Sequence, residues 1–516
     1  MNSKIRGEGG QDRAENWTSD TDAAHCLAND SLSKHAVPSP ASGSASSANN
    51  TASPAPWLGL SALLLAGFVT IFDLFVVNVA IPSMQAGLSA SFAQIGFIVA
   101  GYELAFGVML ITGGRLGDLF GRRRLFVWGM AGFTLASALC GFAPDAGFLI
   151  AARVLQGLAA ALLFPQVYAA IRVGFSGDDS RRAFGLLGMT LGLAAIAGQV
   201  LGGWLVHADL FGSGWRSIFL INVPVGLLAM VAARFIPESR AAERPTLDWL
   251  GVALVSGGLG LLLVPLIEGP AQGWPAWSLL SLAAALMLLA GFYRHQEARR
   301  RGGQQPLVDM RLLGQRHFAL GGLLVLVIYS TSSSFFLCFA LLAQSGLGLD
   351  PFTAGSLFAP CSVGFVLASL AAPRWVAKWG TRAIAAGALV YALALCGLVA
   401  QVALAGAALD PWWLIPVLVI VGAGQGFVMT PLLNLVLAGV DARQAGMAAG
   451  VISTLQQVGA ALGVAVVGML FSAAAGEGTS GAAHYATAFV AGMRWNLVAA
   501  GLAVGVLVVL TRTERA

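Results

Sequence analysis

From Trp57 onward the chain is a succession of long apolar runs separated by short polar breaks. The runs lack both the period-2 alternation of a half-buried strand and the one-sided stripe of a soluble amphipathic helix. Each holds about 20 residues, the length a helix needs to cross a hydrocarbon core. They cover 57–82, 93–113, 125–143, 147–171, 183–206 and 217–236, then 248–268 and 276–294. Six more cover 317–343, 352–373, 383–406, 411–437, 446–474 and 489–511, which makes fourteen predicted spans. A β-barrel would need segments of about 10 residues alternating in polarity, and these runs are continuously apolar. The expected fold class is an all-α polytopic membrane protein, because in lipid only helices and closed barrels satisfy every backbone polar group.

Composition narrows the class without changing it. The chain has 516 residues, 57% hydrophobic and 10% charged, against about 25% charged in an ordinary soluble domain. Residues 1–55, rich in Ser, Ala, Asn and Asp, hold no apolar core of a signal peptide and read as a disordered cytoplasmic tail. The longest interior polar connection, 295–316, follows the eighth run. The predicted organisation is therefore a six-helix bundle over 56–240, a two-helix insert over 241–296 and a cytoplasmic loop over 297–316. A second six-helix bundle follows over 317–511, and 512–516 forms a cytoplasmic C-terminus. Paired bundles flanking a central site are a transporter architecture.

The net charge of +5 would point to anionic partners in a soluble chain. Here it reads as topology. The even-numbered connections carry Arg122–Arg124, Arg181, Arg182, Arg240, Arg244, Arg299–Arg301, Arg311, Arg316, Arg374, Lys378, Arg382 and Arg443. The odd-numbered ones offer little beyond Arg216. The positive-inside rule then places both termini in the cytoplasm of a multi-pass protein of the cell membrane, with the bilayer and not nucleic acid as partner. Enzymatic chemistry finds no constellation. The five cysteines form no CxxC pair, the six histidines are scattered, and no Walker-type glycine-lysine loop occurs. No cofactor or metal is expected.

Of 24 acidic residues, only Asp73 and Glu103 lie well inside runs, and Arg153 is the clear intramembrane base. Such residues are expensive in lipid and mark pathways or ion pairs. At about 1.5 Å per residue, Asp73 lies about 13 Å, Glu103 about 15 Å and Arg153 about 9 Å in from the outer ends of their runs. Two readings stay open: a static Asp73–Arg153 pair that ties two helices together, or a carboxylate that exchanges a proton with the outside. Gly198, Gly202 and Gly203 have the spacing of close helix packing. The run Ser330–Ser334 and the pair Gln456–Gln457 need either hydrogen-bond partners or a polar cavity.

Between the second and third runs stands GGRLGDLFGRRRLF, a dense glycine and charge cluster at Gly113–Phe126. With Gly114, Asp118, Gly121, Arg122 and Arg123 in place, it resembles the loop 2–3 motif of the major facilitator superfamily. Arg153, Gln156 and Gly157 resemble that family's helix-four motif. Asp73, Asn78, Ala80 and Pro82 resemble the helix-one motif of its fourteen-helix drug:proton antiporter branch, the EmrB/QacA-like group, as does WRSIFLINVPVG at Trp215–Gly226. The resemblance spans 57–511 and departs at two positions. Phe75 stands where the branch usually has Thr, and Gly198–Gln199 stands where the helix-five antiporter motif usually reads Gly-Pro.

The resemblance implies a major facilitator fold of two six-helix bundles plus two inserted helices. It also implies secondary active transport by alternating access, as proton-coupled export of amphipathic drugs or other small molecules. Proton coupling falls to Asp73, Glu103 and Arg153, and conformational gating to the loop 2–3 motif, with Asp118 facing the start of the thirteenth helix near Gly446. The partners implied are the small-molecule substrate and protons, with the chain a monomer and accessory export proteins as a further class. A proton-coupled symporter importing a metabolite is the alternative, and a non-transporting membrane sensor a more distant one.

Overall fold

Capping side chains set where several of the helices begin. Ser91 accepts the Gln94 N–H at 3.1 Å while Gln94 Oε1 accepts the Ser91 N–H at 2.8 Å, a reciprocal capping box. Asp145, Asp248 and Asp350 each accept a backbone N–H in the first turn that follows them. The computed structural model describes residues 54–240, 247–269, 272–437, 440, 445–475 and 481–513. Most of the expected tail lies outside the described residues, and Pro54 and Ala55 already belong to the first helix.

Among the described residues, fourteen helices are long and apolar enough to cross a membrane. They are α1 (Trp57–Leu88), α2 (Phe92–Phe120), α3 (Arg122–Gly141), α4 (Ala146–Gly174), α5 (Gly177–Ala208), α6 (Gly214–Phe235) and α7 (Trp249–Glu268). The rest are α8 (Ala276–Arg301), α9 (Arg316–Gly346), α10 (Pro351–Trp379), α11 (Thr381–Ala408), α12 (Pro411–Leu437), α13 (Met447–Ala475) and α14 (Ala482–Thr511). Each coincides with one predicted run. The stretch 297–316, expected as a loop, is partly helical: α8 continues through Arg301, and a short helix, Met310–Gly314, precedes α9. Charged side chains are compatible with a helix that has left the hydrocarbon region, so hydropathy ends a span before the backbone does.

Packing divides the helices into two sets. Within the first, α4 lies against α2 and α3, and α1 against α5 and α6; within the second, α12 lies against α10 and α11, and α9 against α13 and α14. The sets meet mainly along α2–α13 and α5–α10, with α1–α9 between them. The second helix of each set thus faces the fifth of the other, the relation a two-fold repeat produces. The pair α7–α8 stands outside both, with α7 on α2 and α13.

Glycine makes these contacts close. A Cβ at Gly113 would overlap the Ala161 carbonyl, one at Gly422 the Cys361 carbonyl, and one at Gly203 the Pro351 carbonyl. Lipid offers no hydrophobic drive for helix association, so backbone approach through small residues supplies the packing. Gly114 is different: the nearest atom to a Cβ there is Pro165 Cβ at 3.8 Å, an ordinary contact. The close-packed positions of that stretch are Gly113 and Gly117, the latter against the Gln166 side chain.

A polar knot fastens the α7–α8 pair. Asp248 Oδ1 accepts the Gly251 N–H at 2.9 Å and lies 2.8 Å from His295 Nε2, and Oδ2 accepts from Gln296 Nε2 at 2.7 Å. Gln296 Oε1 accepts the Leu307 and Val308 N–H groups at 2.7 and 3.3 Å, and Arg115 of α2 donates to the Pro306 carbonyl at 2.6 Å. Burial alone would raise the Asp248 carboxyl, but the hydrogen bonds from His295, Gly251 and Gln296 outweigh it and hold the group below its ordinary value.

Two outcomes follow from this packing. Gly113→Ala is expected to lower the melting temperature in detergent by the equivalent of about 2–3 kcal/mol, whereas Gly114→Ala stays within about 0.5 kcal/mol of wild type. A depressed carboxyl stabilises above its unfolded pKa and loses that contribution as pH falls through the folded value. Asp248→Asn is therefore expected to melt earlier than wild type at neutral pH, with the difference closing below about pH 4. Thermal melts across a pH series check it.

Candidate functional site

Asp73, near the middle of α1, and Arg153, in the N-terminal half of α4, are both almost wholly buried. An isolated charge there would be prohibitive, so each must be answered by the other and by hydrogen bonds. Arg153 Nη1 pairs with Asp73 Oδ2. The same nitrogen donates to Gln156 Oε1 at 2.7 Å, and Arg153 Nε donates to the Ile98 carbonyl at 3.1 Å. The guanidinium also lies 4.2 Å from the centre of the Tyr102 ring, a cation–π contact. Asp73 Oδ1 accepts from Gln156 Nε2 at 2.8 Å and from Asn222 Nδ2 at 3.1 Å. Gln156 Nε2 reaches Ser137 Oγ as well, at 2.8 Å.

Five helices of the first set converge here: α1, α2, α3, α4 and α6. Gln156 is the hinge of the network, because one amide receives from the arginine and gives to the aspartate. Gly157, next to it, lets α4 approach the Tyr102 carbonyl of α2 at a hypothetical Cβ distance of 2.5 Å. That contact sets the guanidinium over the Tyr102 ring. Asn222 and Ser137 were not among the predicted site residues. The signal was available, since an amide or hydroxyl inside an apolar run must find a partner.

Glu103 is brought near this network but does not join it. The Ser333 hydroxyl of α9 donates to Glu103 Oε1 at 2.6 Å, and Glu103 Oε2 is buried without a hydrogen-bond partner. This contact links the two helix sets. The other hydroxyls of the Ser330–Ser334 run stay mostly within the second set. Ser334 donates to Asn496 Oδ1 at 2.8 Å, and the Tyr391 hydroxyl donates to Thr331 Oγ1 at 2.9 Å. Gln456 donates to the Tyr329 hydroxyl at 2.9 Å, while Gln457 packs its Cβ against Gly107 of α2.

The helix-five glycines face two ways. Gly198 and Gly202 lie against Phe75 and Val76 of α1, and Gly203 lies against α10. Gln199 Nε2 donates to the Phe75 carbonyl at 3.4 Å, so the two departures from the branch's pattern touch each other. Asn78 donates to the Leu74 carbonyl at 3.0 Å, and Pro82 lies inside α1, where it cannot donate to the carbonyl four residues before it.

In the loop 2–3 motif, Arg122 Nη2 reaches Asp118 Oδ1 at 2.8 Å. Gly121 takes φ +105, a region that disfavours other residues, and a Cβ there would sit 2.6 Å from Glu238 Oε1. Glu238 also accepts the Arg123 N–H at 3.2 Å and lies within 3.9 and 3.8 Å of the Arg123 and Arg124 guanidinium groups. Glu238, just past the end of α6, is a third residue, after Asn222 and Ser137, outside the expected site. Residues 441–444, which lead toward the region expected to face Asp118, lie outside the described residues.

The model of the Major Facilitator Superfamily matches residues 63–464. The chain is 40% identical to a probable actinorhodin transporter of Streptomyces coelicolor, over 80% of this chain and 72% of that one. It is 35% identical to a puromycin resistance protein of Streptomyces alboniger, over 83% and 86%. To a tetracenomycin C resistance and export protein of Streptomyces glaucescens it is 33% identical, over 82% and 77%. Among solved structures, a bacterial homolog of the human lysosomal transporter Spinster, in an inward-facing and unoccupied conformation, aligns with TM-score 0.65 at 17% identity, covering 88% of this chain and 97% of that one. That last likeness concerns the fold.

The network predicts an asymmetry between single and paired removal. Asp73→Ala takes from a buried guanidinium and two side-chain amides the acceptor they share, leaving the arginine without its counter-charge, and is expected to cost about 3–5 kcal/mol. Combining it with Arg153→Leu should recover at least half of that loss. Melting temperatures of the singles and the double check the coupling.

Proposed function

The chain belongs to the major facilitator superfamily, and on that premise we propose that it exports an amphipathic, antibiotic-like small molecule from the cytoplasm in exchange for protons. It is a multi-pass membrane transporter and not an enzyme. The observation that carries the export reading is a buried arginine-carboxylate network at membrane depth, in a chain whose relatives include proteins named for antibiotic export and resistance. Alternating access of two helix sets about their shared seam accounts for vectorial movement.

In this reading Asp73, Glu103 and Arg153 form the proton-coupling group. Gln156 and Asn222 hold it in register, and the guanidinium moderates the carboxylates electrostatically. Asp118 with Arg122, and Glu238 with Arg123 and Arg124, lie at the arginine-rich break between α2 and α3, on the face that the positive-inside rule assigns to the cytoplasm. We assign them the gating role: remaking these partly exposed pairs costs little, so they bias a conformational equilibrium without freezing it. Both termini lie in the cytoplasm, and the working unit is a monomer.

Two measurements decide the direction and the coupling. Overexpression in a pump-deficient host is expected to raise resistance to amphipathic antibiotics at least about fourfold, equivalent to about 0.8 kcal/mol in effective potency. In everted vesicles carrying a pH gradient, adding the exported compound should release protons, and the Asp73→Asn, Glu103→Gln double variant should not respond. Accumulation of compound only in right-side-out vesicles would establish an importing symporter instead.

A further inference from the structure

The three buried charges of the first helix set differ in how completely they are answered. Both oxygens of Asp73 accept hydrogen bonds, one from a guanidinium and the other from two side-chain amides. Every one of those donors needs a lone pair, so the site is built for the ionised carboxylate. Glu103 is 4% exposed and has one neutral hydroxyl partner, with its second oxygen unanswered. The groups packed around it offer no free counter-charge. Arg153 of α4 is committed to Asp73, the only ionisable residue of α1, and Tyr102 of α2 is a neutral phenol. Described α13 carries no ionisable side chain, and α9 presents Ser333. A carboxylate so enclosed is costly, and a neutral carboxylic acid is not.

We propose that Glu103 is the residue that carries the coupled proton, and that its contact with Ser333 is the link through which proton binding draws the two helix sets together. The Glu103 carboxylate takes a proton from the outer medium to become the acid. As the acid it enters the seam between α2 and α9 and shares a hydrogen bond with Ser333. When the seam opens toward the cytoplasm, water reaches the group, the O–H bond breaks heterolytically, and the proton leaves to the cytoplasmic side. The resulting anion cannot re-enter the dry seam until it binds another proton. Asp73 stays ionised throughout and acts as a positioning residue that keeps Arg153 from pairing with Glu103. The direction of proton flow rests on the export reading; the link between proton and seam does not.

The test uses the full chain in lipid nanodiscs, without substrate. Spin labels are placed at Leu210→Cys and Trp412→Cys, exposed positions beyond the ends of α5 and α11, with Cys26 and Cys396 replaced by Ser. Wild type is expected to move between two distance populations from about pH 5 to about pH 9. Glu103→Gln, a neutral isostere that retains the hydrogen bond, should hold the low-pH population throughout. Ser333→Ala, which removes one hydroxyl and leaves the fold intact, should move the midpoint toward acid by roughly 0.5–1 pH unit. Asp73→Asn should keep a pH-dependent shift. A wild-type midpoint in Glu103→Gln, a wild type without any shift, or loss of the shift in Asp73→Asn alone would overturn the proposal. A normal shift in a protein that exports nothing in vesicles supports the link and removes the export reading instead.

Discussion

A guanidinium buried in the middle of a lipid-embedded bundle has to be met by acceptors on every side, and the first helix set is arranged around that demand. Arg153 takes a carboxylate from α1, a carbonyl and an aromatic face from α2, and an amide from its own helix. The carboxylate in turn takes an amide from α6, and the shared Gln156 reaches α3. No helix of the five can shift far without orphaning a polar atom, and in a low-dielectric interior that penalty is steep. The core of this set is therefore a rigid body, which is what a rocking mechanism needs from its halves.

The seam between the sets is held differently. Its backbone contacts run through glycine, as where Gly355 of α10 meets the Gln199 carbonyl, and its buried or half-buried side-chain hydrogen bonds include single ones: Ser333 to Glu103, Thr454 to the Gly107 carbonyl, Gln344 to the Val79 carbonyl. Single neutral bonds are worth about 0.5–1.5 kcal/mol each. They define a docked arrangement without making it irreversible. Among the described residues the buried arginine–carboxylate pair lies within one set, while single hydrogen bonds and one exposed His207–Asp350 contact join the two.

The two departures from the antiporter pattern take on meaning in that setting. Gln199 replaces a residue that could not donate from its backbone, and its side chain instead reaches the Phe75 carbonyl at the other departure. Phe75 in turn stacks edge-on against Phe336 of α9 at 5.0 Å, across the seam. A hydroxyl and a kink-former are exchanged here for an amide and an aromatic contact, so this corner of the seam is held by packing.

The sequence by itself determined the helices and their number, because hydrocarbon thickness fixes the length of an apolar run and a lipid solvent leaves the backbone one choice of structure. It also singled out Asp73, Glu103 and Arg153, since a charge in such a run is conspicuous by its cost. What it left open was which of these meet. Asp73 and Arg153 are 80 residues apart, and their pairing depends on how α1 and α4 are rotated. Ser333 lies 230 residues from Glu103, in a run of hydroxyls that look alike in sequence, and only the direction it faces separates it from Ser334. Asn222, Ser137 and Glu238 were hidden for the same reason: a single polar residue declares a need for a partner but not the partner's identity. Span lengths and charge placement are local properties of the chain. Helix rotation and the pairing of distant side chains are set by packing, which no local stretch contains.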